Sequence, residues 1–164
     1  MHKINLKFNN KTKITILVGG LFFLFFTAII IPVWFIFYLP SSGVSHFFTD
    51  NLMYSLISAV VILYFIFVGT FYYKVNVDPY VIQITSYRVM VDLFKEKDYV
   101  DIPHTMLMDY SFFDRPFSLN KTLMLKIKTQ SGKKVAKRFN ITLISENEIE
   151  RISKVFDGII VKNN

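Results

Sequence analysis

The chain has 164 residues and a net charge of +7; 52% of it is hydrophobic, 17% is aromatic, and the mean hydropathy is +0.39. That balance sets it apart from an ordinary soluble domain and from a disordered segment, and it points to membrane-embedded sequence. Cysteine is absent, which excludes disulfides, thiolate chemistry, lipoprotein processing and Cys-bearing metal sites.

Residues 1–13 read as a basic cytoplasmic tail holding Lys3, Lys7, Lys11 and Lys13. The first apolar run, 14–39, reads ITILVGGLFFLFFTAIIIPVWFIFYL without a charge. Roughly 20 apolar residues cross a ~30 Å hydrocarbon core, so this run is long enough to be a transmembrane helix, with Pro32 the place for a kink. A signal peptide would have an apolar region of about 7–15 residues followed by a small-residue cleavage site. Neither is present, so a retained anchor is expected. Residues 40–51 (PSSGVSHFFTDN) form an outer loop, and 52–73 (LMYSLISAVVILYFIFVGTFYY) form a second uncharged span.

Lys and Arg set the orientation. The tail holds four lysines, and Lys74, Arg88, Lys95 and Lys97 follow the second span, whereas the loop has no Lys or Arg. The positive-inside rule then puts both termini in the cytoplasm. Trp34 and Tyr38 at one interface, and Tyr72 and Tyr73 at the other, read as headgroup-level anchors. Gly19, Gly20 and the pair Ser55 and Ala59 let helices approach closely. The polar residues inside the spans are Thr15, Thr27, Ser55, Ser58 and Thr70, all able to bond to their own backbone, so no transport path is expected. Fifteen lysines against four arginines, with abundant Asn, Ile and Phe, is the usage of an AT-rich genome. A bacterial inner-membrane, multi-pass protein is the expectation.

Residues 74–164 suffice for one small cytoplasmic domain. Period-two alternation, with turn-like breaks at 95–98, 114–120 and 130–133, predicts strands at 74–77, 80–85, 87–94, 99–102, 105–113, 121–129 and 133–141. Ser145 and Glu148 fit a capping box, Glu146, Glu148 and Glu150 suit a helix N-terminus, and Ile149, Ile152, Phe156 and Ile159 form an apolar stripe. Gly158 is the expected stop. The fold class is therefore a membrane α-helical hairpin plus a mainly-β domain, an antiparallel barrel or sheet closed by a C-terminal helix.

The stretch YVIQITSYRV (80–89), then Ile102-Pro103, the polar hairpin and the capped helix resemble a pleckstrin-homology-like (PH-like) domain, and two membrane helices ahead of it resemble the bacterial PH-like membrane proteins. Ser86-Tyr87 departs from the polar turn pair of that family. The resemblance implies a bent sheet of about seven strands and a membrane-tethered binding or assembly module.

Chemistry is sparse. His2, His46 and His104 are scattered, with no metal-ligand spacing, and neither a metal site nor a cofactor is expected. Residues 130–133 (QSGK) lack the glycine and the setting of a phosphate loop. The densest charge is the hairpin 125–139 (LKIKTQSGKKVAKRF), where Lys126, Lys128, Lys133, Lys134, Lys137 and Arg138 occur without an acid. It faces anionic lipid, grips a protein partner, or stays merely solvated. The domain's net charge of +4 and the lack of a recognised motif argue against nucleic acid. The expected function is a membrane-anchored, non-catalytic binding or scaffolding protein. The alternatives are an accessory subunit of a larger membrane complex, contacting it through the helices, and an enzyme at the membrane face using His104 or Asp109.

Overall fold

The structure, a computed structural model, describes residues 6–90, 98–129 and 131–163. Two compact units compose it: Met1–Ile14 together with Thr70–Asn164, and Thr15–Gly69.

Strand β1 (Leu6–Asn9) is followed by α1 (Lys11–Phe25), a π-helical segment (Phe26–Ile30) and α2 (Ile31–Tyr38), together one helix of 28 residues from Lys11 to Tyr38. At 1.5 Å per residue this is about 42 Å, and it is long and apolar enough to cross a membrane. The π segment has a local cause. Pro32 lacks the N–H that would bond back along the helix, and the Ile31 N–H reaches five residues back to the Phe26 carbonyl. The irregularity expected at Pro32 takes the form of a π-bulge just before it.

The expected outer loop is largely helical. Ser42 caps α3 (Gly43–Asp50) by accepting from the Ser45 N–H at 3.1 Å. Helix α4 (Leu52–Val68) follows at a bend of 61°, and α3 with α4 qualifies as a second span only if the bent pair counts as one. The expected span 52–73 stops at Val68, because Gly69, at φ +78, turns the chain.

Strands β2 (Phe71–Val77), β3 (Val81–Arg88) and β4 (Asp98–Pro103) join β1 in an antiparallel sheet of order β1-β2-β3-β4. A 3-10 turn (His104–Met106) leads to β5 (Leu107–Asp114), β6 (Asn120–Lys128) and β7 (Lys134–Thr142), a second antiparallel sheet. Helix α5 (Glu146–Asn163) closes the unit, burying Ile152, Phe156 and Ile159. The core is the alternating inner face of the strands, with Tyr73, Val75, Ile82, Ile84, Leu123, Leu125, Phe139 and Ile141 against α5. The domain is mainly β, as expected.

Several boundaries differ from expectation. The tail contributes β1, which pairs Leu6 with Val77 and Asn9 with Lys74, so the domain begins before the helices. The strands expected at 80–85 and 87–94 are one strand through Arg88, in which Ser86 is buried and donates to the Asn140 carbonyl; residues 91–97 lie outside the described residues. Loop 40–51 holds α3. Gly158 sits inside α5, because burying Ile159 outweighs the helix cost of a glycine, about 1 kcal/mol.

Candidate lipid- or partner-facing surface

The basic hairpin is β6, β7 and the turn between them. The Thr129 N–H donates to the Lys133 carbonyl at 2.9 Å and the Gly132 N–H to the Thr129 carbonyl at 2.9 Å. Gly132 takes φ +79, which a side chain would strain. Alternation buries Leu123, Leu125 and Ile127 on β6 and turns Lys126 and Lys128 outward. On β7, Lys134 and Arg138 stand opposite Lys128 and Met124 on that same outer face.

The six cations are not equivalent. A β-bulge between Leu107 and Asp109 turns Asp109 to the outer face beside Lys126, where it accepts a 2.7 Å ion pair. That hydrogen bond from Lys126 holds the Asp109 carboxyl below its ordinary value. Lys137 points to the other side and donates to the Tyr99 carbonyl at 3.0 Å. Lys128 and Lys134 face each other directly, a like-charge pair that destabilises the hairpin unless an anion lies between them. Arg138 lines a shallow hollow of about 440 Å³ with Phe113, Arg115, Thr122, Met124 and Asn140. Lys133 is exposed beside the turn.

Strand β7 crosses the four-stranded sheet at one end. Going along it, Lys137 reaches Tyr99 at the start of β4, the Asn140 carbonyl accepts from Ser86 near the end of β3, and Thr142 Oγ1 accepts from the Phe71 N–H at the start of β2. The Thr142 carbonyl then accepts from Asn10, just past β1, at 2.8 Å. By strand register these points share one end of the sheet, the end at which the chain departs after Asn10 and returns at Thr70.

A polar junction fixes that end. Asn10 is buried; its amide donates to the Phe71 and Thr142 carbonyls, and its oxygen accepts from the Tyr73 N–H. Thr142 also bonds Asn120. Glu148 accepts from the Ser145 N–H at 2.7 Å, completing the expected capping box, and pairs with Lys13 at 3.0 Å. Burial raises the Glu148 pKa, but the Ser145 backbone and the Lys13 ammonium outweigh it, leaving the carboxyl below its ordinary range. Nothing in the sequence singled out Asn10, Thr142 or Asn120, because their partners are distant along the chain.

The other sequence-derived residues fall as follows. Trp34 and Tyr38 are exposed on α2 with their rings stacked at 5.8 Å. Tyr72 is half-buried against Tyr87 in the sheet. Tyr73 is no interfacial anchor: it is fully buried, and burial together with the Glu148 carboxylate at its hydroxyl pushes its pKa up. Gly19 and Gly20 are exposed with open space around them, so the expected packing there is not made among the described residues. Ala28 and Ser58 are the buried small residues on the π segment and α4, with Ser55 and Ala59 half-buried beside them.

His104 opens the 3-10 turn with its Nε2 buried and without a hydrogen-bond partner among the described residues. Burial lowers its pKa, partly countered by the Asp78 and Val81 backbones. No group of three or more His, Cys, Asp or Glu able to hold a metal occurs among the described residues. Comparison with family models, curated proteins and solved structures finds no match.

Proposed function

We propose that the chain is a membrane-anchored, non-catalytic binding protein with two spans, both termini in the cytoplasm of a bacterium, and a PH-like domain whose basic hairpin meets anionic lipid. One observation carries the reading: the helical segment is inserted between hydrogen-bonded neighbours. Asn10 and Tyr73 bond in both directions across β1 and β2, so the chain leaves for the helices and returns at adjoining points. Adjoining points lie on one side of a bilayer, and a chain that crosses once must therefore cross again. The same pairing argues for a retained first helix, since cleavage after it would strip β1 and Asn10 from the sheet. The lack of Lys and Arg between 39 and 51 puts the turn outside. Seven antiparallel strands among the described residues, in groups of four and three and followed by a capped helix, support the PH-like reading.

Because the chain is free of cysteine, single-cysteine labelling tests this directly. Ser41→Cys should react with an impermeant maleimide on intact cells, and Ser131→Cys only after permeabilisation. Equal protection of both, or labelling of Ser131→Cys from outside, overturns the two-span topology. A second reading, an accessory subunit of a larger complex, is favoured by the open surface at Gly19 and Gly20, where another helix fits closely. A stoichiometric partner retained in mild detergent and lost on Gly20→Leu would support it.

A further inference from the structure

We infer that the β5–β6 loop, residues 115–119, is an interfacial anchor: Phe117 and Leu119 enter the headgroup–acyl boundary of the leaflet in which the chain's own helices are rooted. The inference rests on the membrane reading above and adds a contact that the basic hairpin does not provide.

The loop, Arg115-Pro116-Phe117-Ser118-Leu119, is tightly closed. The Arg115 N–H donates to the Asn120 carbonyl at 3.3 Å, Ser118 Oγ donates to the Arg115 carbonyl at 3.2 Å, and the Asn120 N–H donates to Ser118 Oγ at 3.2 Å. At its tip Phe117 takes φ +55, a left-handed conformation that bulky residues seldom adopt. Its side chain is 95% exposed. Leu119 and Phe113, at the foot of the loop, are about half exposed as well. A closed turn that presents an aromatic ring outward is arranged for something apolar outside the domain.

Position identifies what that is. The Leu119 carbonyl accepts from the Leu143 N–H at 3.0 Å, and the Leu143 carbonyl accepts from Lys13 Nζ at 3.1 Å. Lys13 lies in α1, one residue before the uncharged run begins at Ile14. Two hydrogen bonds therefore separate the loop from the foot of the span. A second path runs from Asn120 at the loop's end through Thr142 to Asn10. Phe and Leu side chains bury at the headgroup–acyl boundary, and arginine stems lie along apolar surface while the guanidinium stays with phosphate. Arg115 stands at the start of this loop and shares a hollow with Phe113 and Arg138, which suits phosphate beside the inserted ring. Tyr80 makes the contrast: it is 80% exposed, but it lies in the β2–β3 turn at the opposite end of the sheet from Asn10.

The native chain has one tryptophan, Trp34, on the first helix. The full chain would be reconstituted in neutral phosphatidylcholine vesicles whose acyl chains carry bromine near the headgroup, with aqueous iodide as the opposing quencher. Trp34 reports whether the helix is in the bilayer. In a Trp34→Phe background, the indole introduced by Phe117→Trp should be blue-shifted, quenched by brominated lipid and shielded from iodide. That introduced by Tyr80→Trp should show the reverse. If the Phe117→Trp indole behaves like the Tyr80→Trp one while Trp34 is quenched by bromine, the anchor is overturned and the membrane reading stands. If Trp34 itself escapes bromine, the membrane reading fails and the anchor with it. A spin label on Leu119→Cys, with Trp34 retained, gives an independent reading: more accessible to oxygen than to aqueous nickel supports insertion, and the converse refutes it.

Discussion

The two units of the chain use the same apolar residues in opposite ways. In the sheet domain the largest side chains are inside, with Tyr73, Phe139 and Phe156 fully buried around the strands and α5. In Thr15–Gly69 most large residues point out, Phe23 at 71% and Phe67 at 80% exposure, while the buried positions include the small or polar Ala28, Ser45 and Ser58 beside Leu21 and Pro32. Water explains the first pattern, because burying apolar surface drives folding there. It cannot explain the second. Where the surroundings are themselves apolar, helix contacts are made by small residues that allow close approach, and large ones face outward. One sequence thus carries two opposite patterns of burial.

The sharpest way to break this contrast is to make one change in both units. Phe156→Ala removes a fully buried ring that contacts Tyr110 at 5.2 Å, and it should cost the domain about 3–5 kcal/mol. Phe23→Ala in the helical unit should stay within about 0.5 kcal/mol of the parent. Amide exchange of the full chain in lipid nanodiscs reads each unit separately. Equal losses would mean that the two units share one solvent.

Next in size is Asn10→Ala. It leaves the Phe71 and Thr142 carbonyls and the Tyr73 N–H without their partner in a buried site, and each such loss costs about 1–3 kcal/mol. The domain should lose at least about 2 kcal/mol on that scale. Exchange protection in Leu52–Val68 should be unchanged, which would separate the junction from helix α4. Loss of protection in both would show that the units fold as one.

How far these features could be read from the sequence depended on range. Patterns within a few residues were legible: β6 and β7 lie within one residue of the expected 121–129 and 133–141, and Ser145 with Glu148 makes the capping box. Patterns that need a distant partner were not. Leu6–Asn9 is too short to show period two, and it becomes a strand only because β2 supplies its hydrogen bonds. Ser86 looked like a break, yet it is buried because the Asn140 carbonyl receives its hydroxyl. Tyr73 looked interfacial because it follows an apolar run, but the turn at Gly69 had already ended the helix. For the surface, the basic residues were countable, whereas the groups that engage Lys126 and Lys137, the Asp109 carboxylate and the Tyr99 carbonyl, were not. The loop at Phe117 was read only as a break, since its nearness to Lys13 depends on the path of Leu143.

A smaller effect tests the junction by pH. The Glu148 pKa is lowered in the fold, so its contribution is present above the ordinary value of 4.5 and is lost as pH falls through the lower folded value. His104 adds an earlier limb. Its folded pKa lies below 6.5, so the unfolded chain takes up the proton first, and stability begins to fall as pH drops below 6.5. Domain stability measured from pH 8 down to pH 3 should show both limbs. Glu148→Gln should flatten the lower one, and His104→Gln the upper one. An unchanged lower limb in Glu148→Gln would mean that the Lys13 pair contributes nothing to holding the start of α1 against α5.

The smallest expected effect discriminates best between a solvated hairpin and a lipid-reading one. Lys128 and Lys134 are directly opposed, and replacing one by an acid converts a repulsion into an attraction worth about 0.2–1 kcal/mol. Lys134→Glu should therefore protect the hairpin amides in neutral nanodiscs. In anionic nanodiscs each lysine near the surface contributes about 1 kcal/mol, so the same change should weaken protection there and remove its dependence on salt. Opposite signs in the two lipids would mean that the repulsion is kept because an anionic surface relieves it. A gain in both would mean that the hairpin is only solvated.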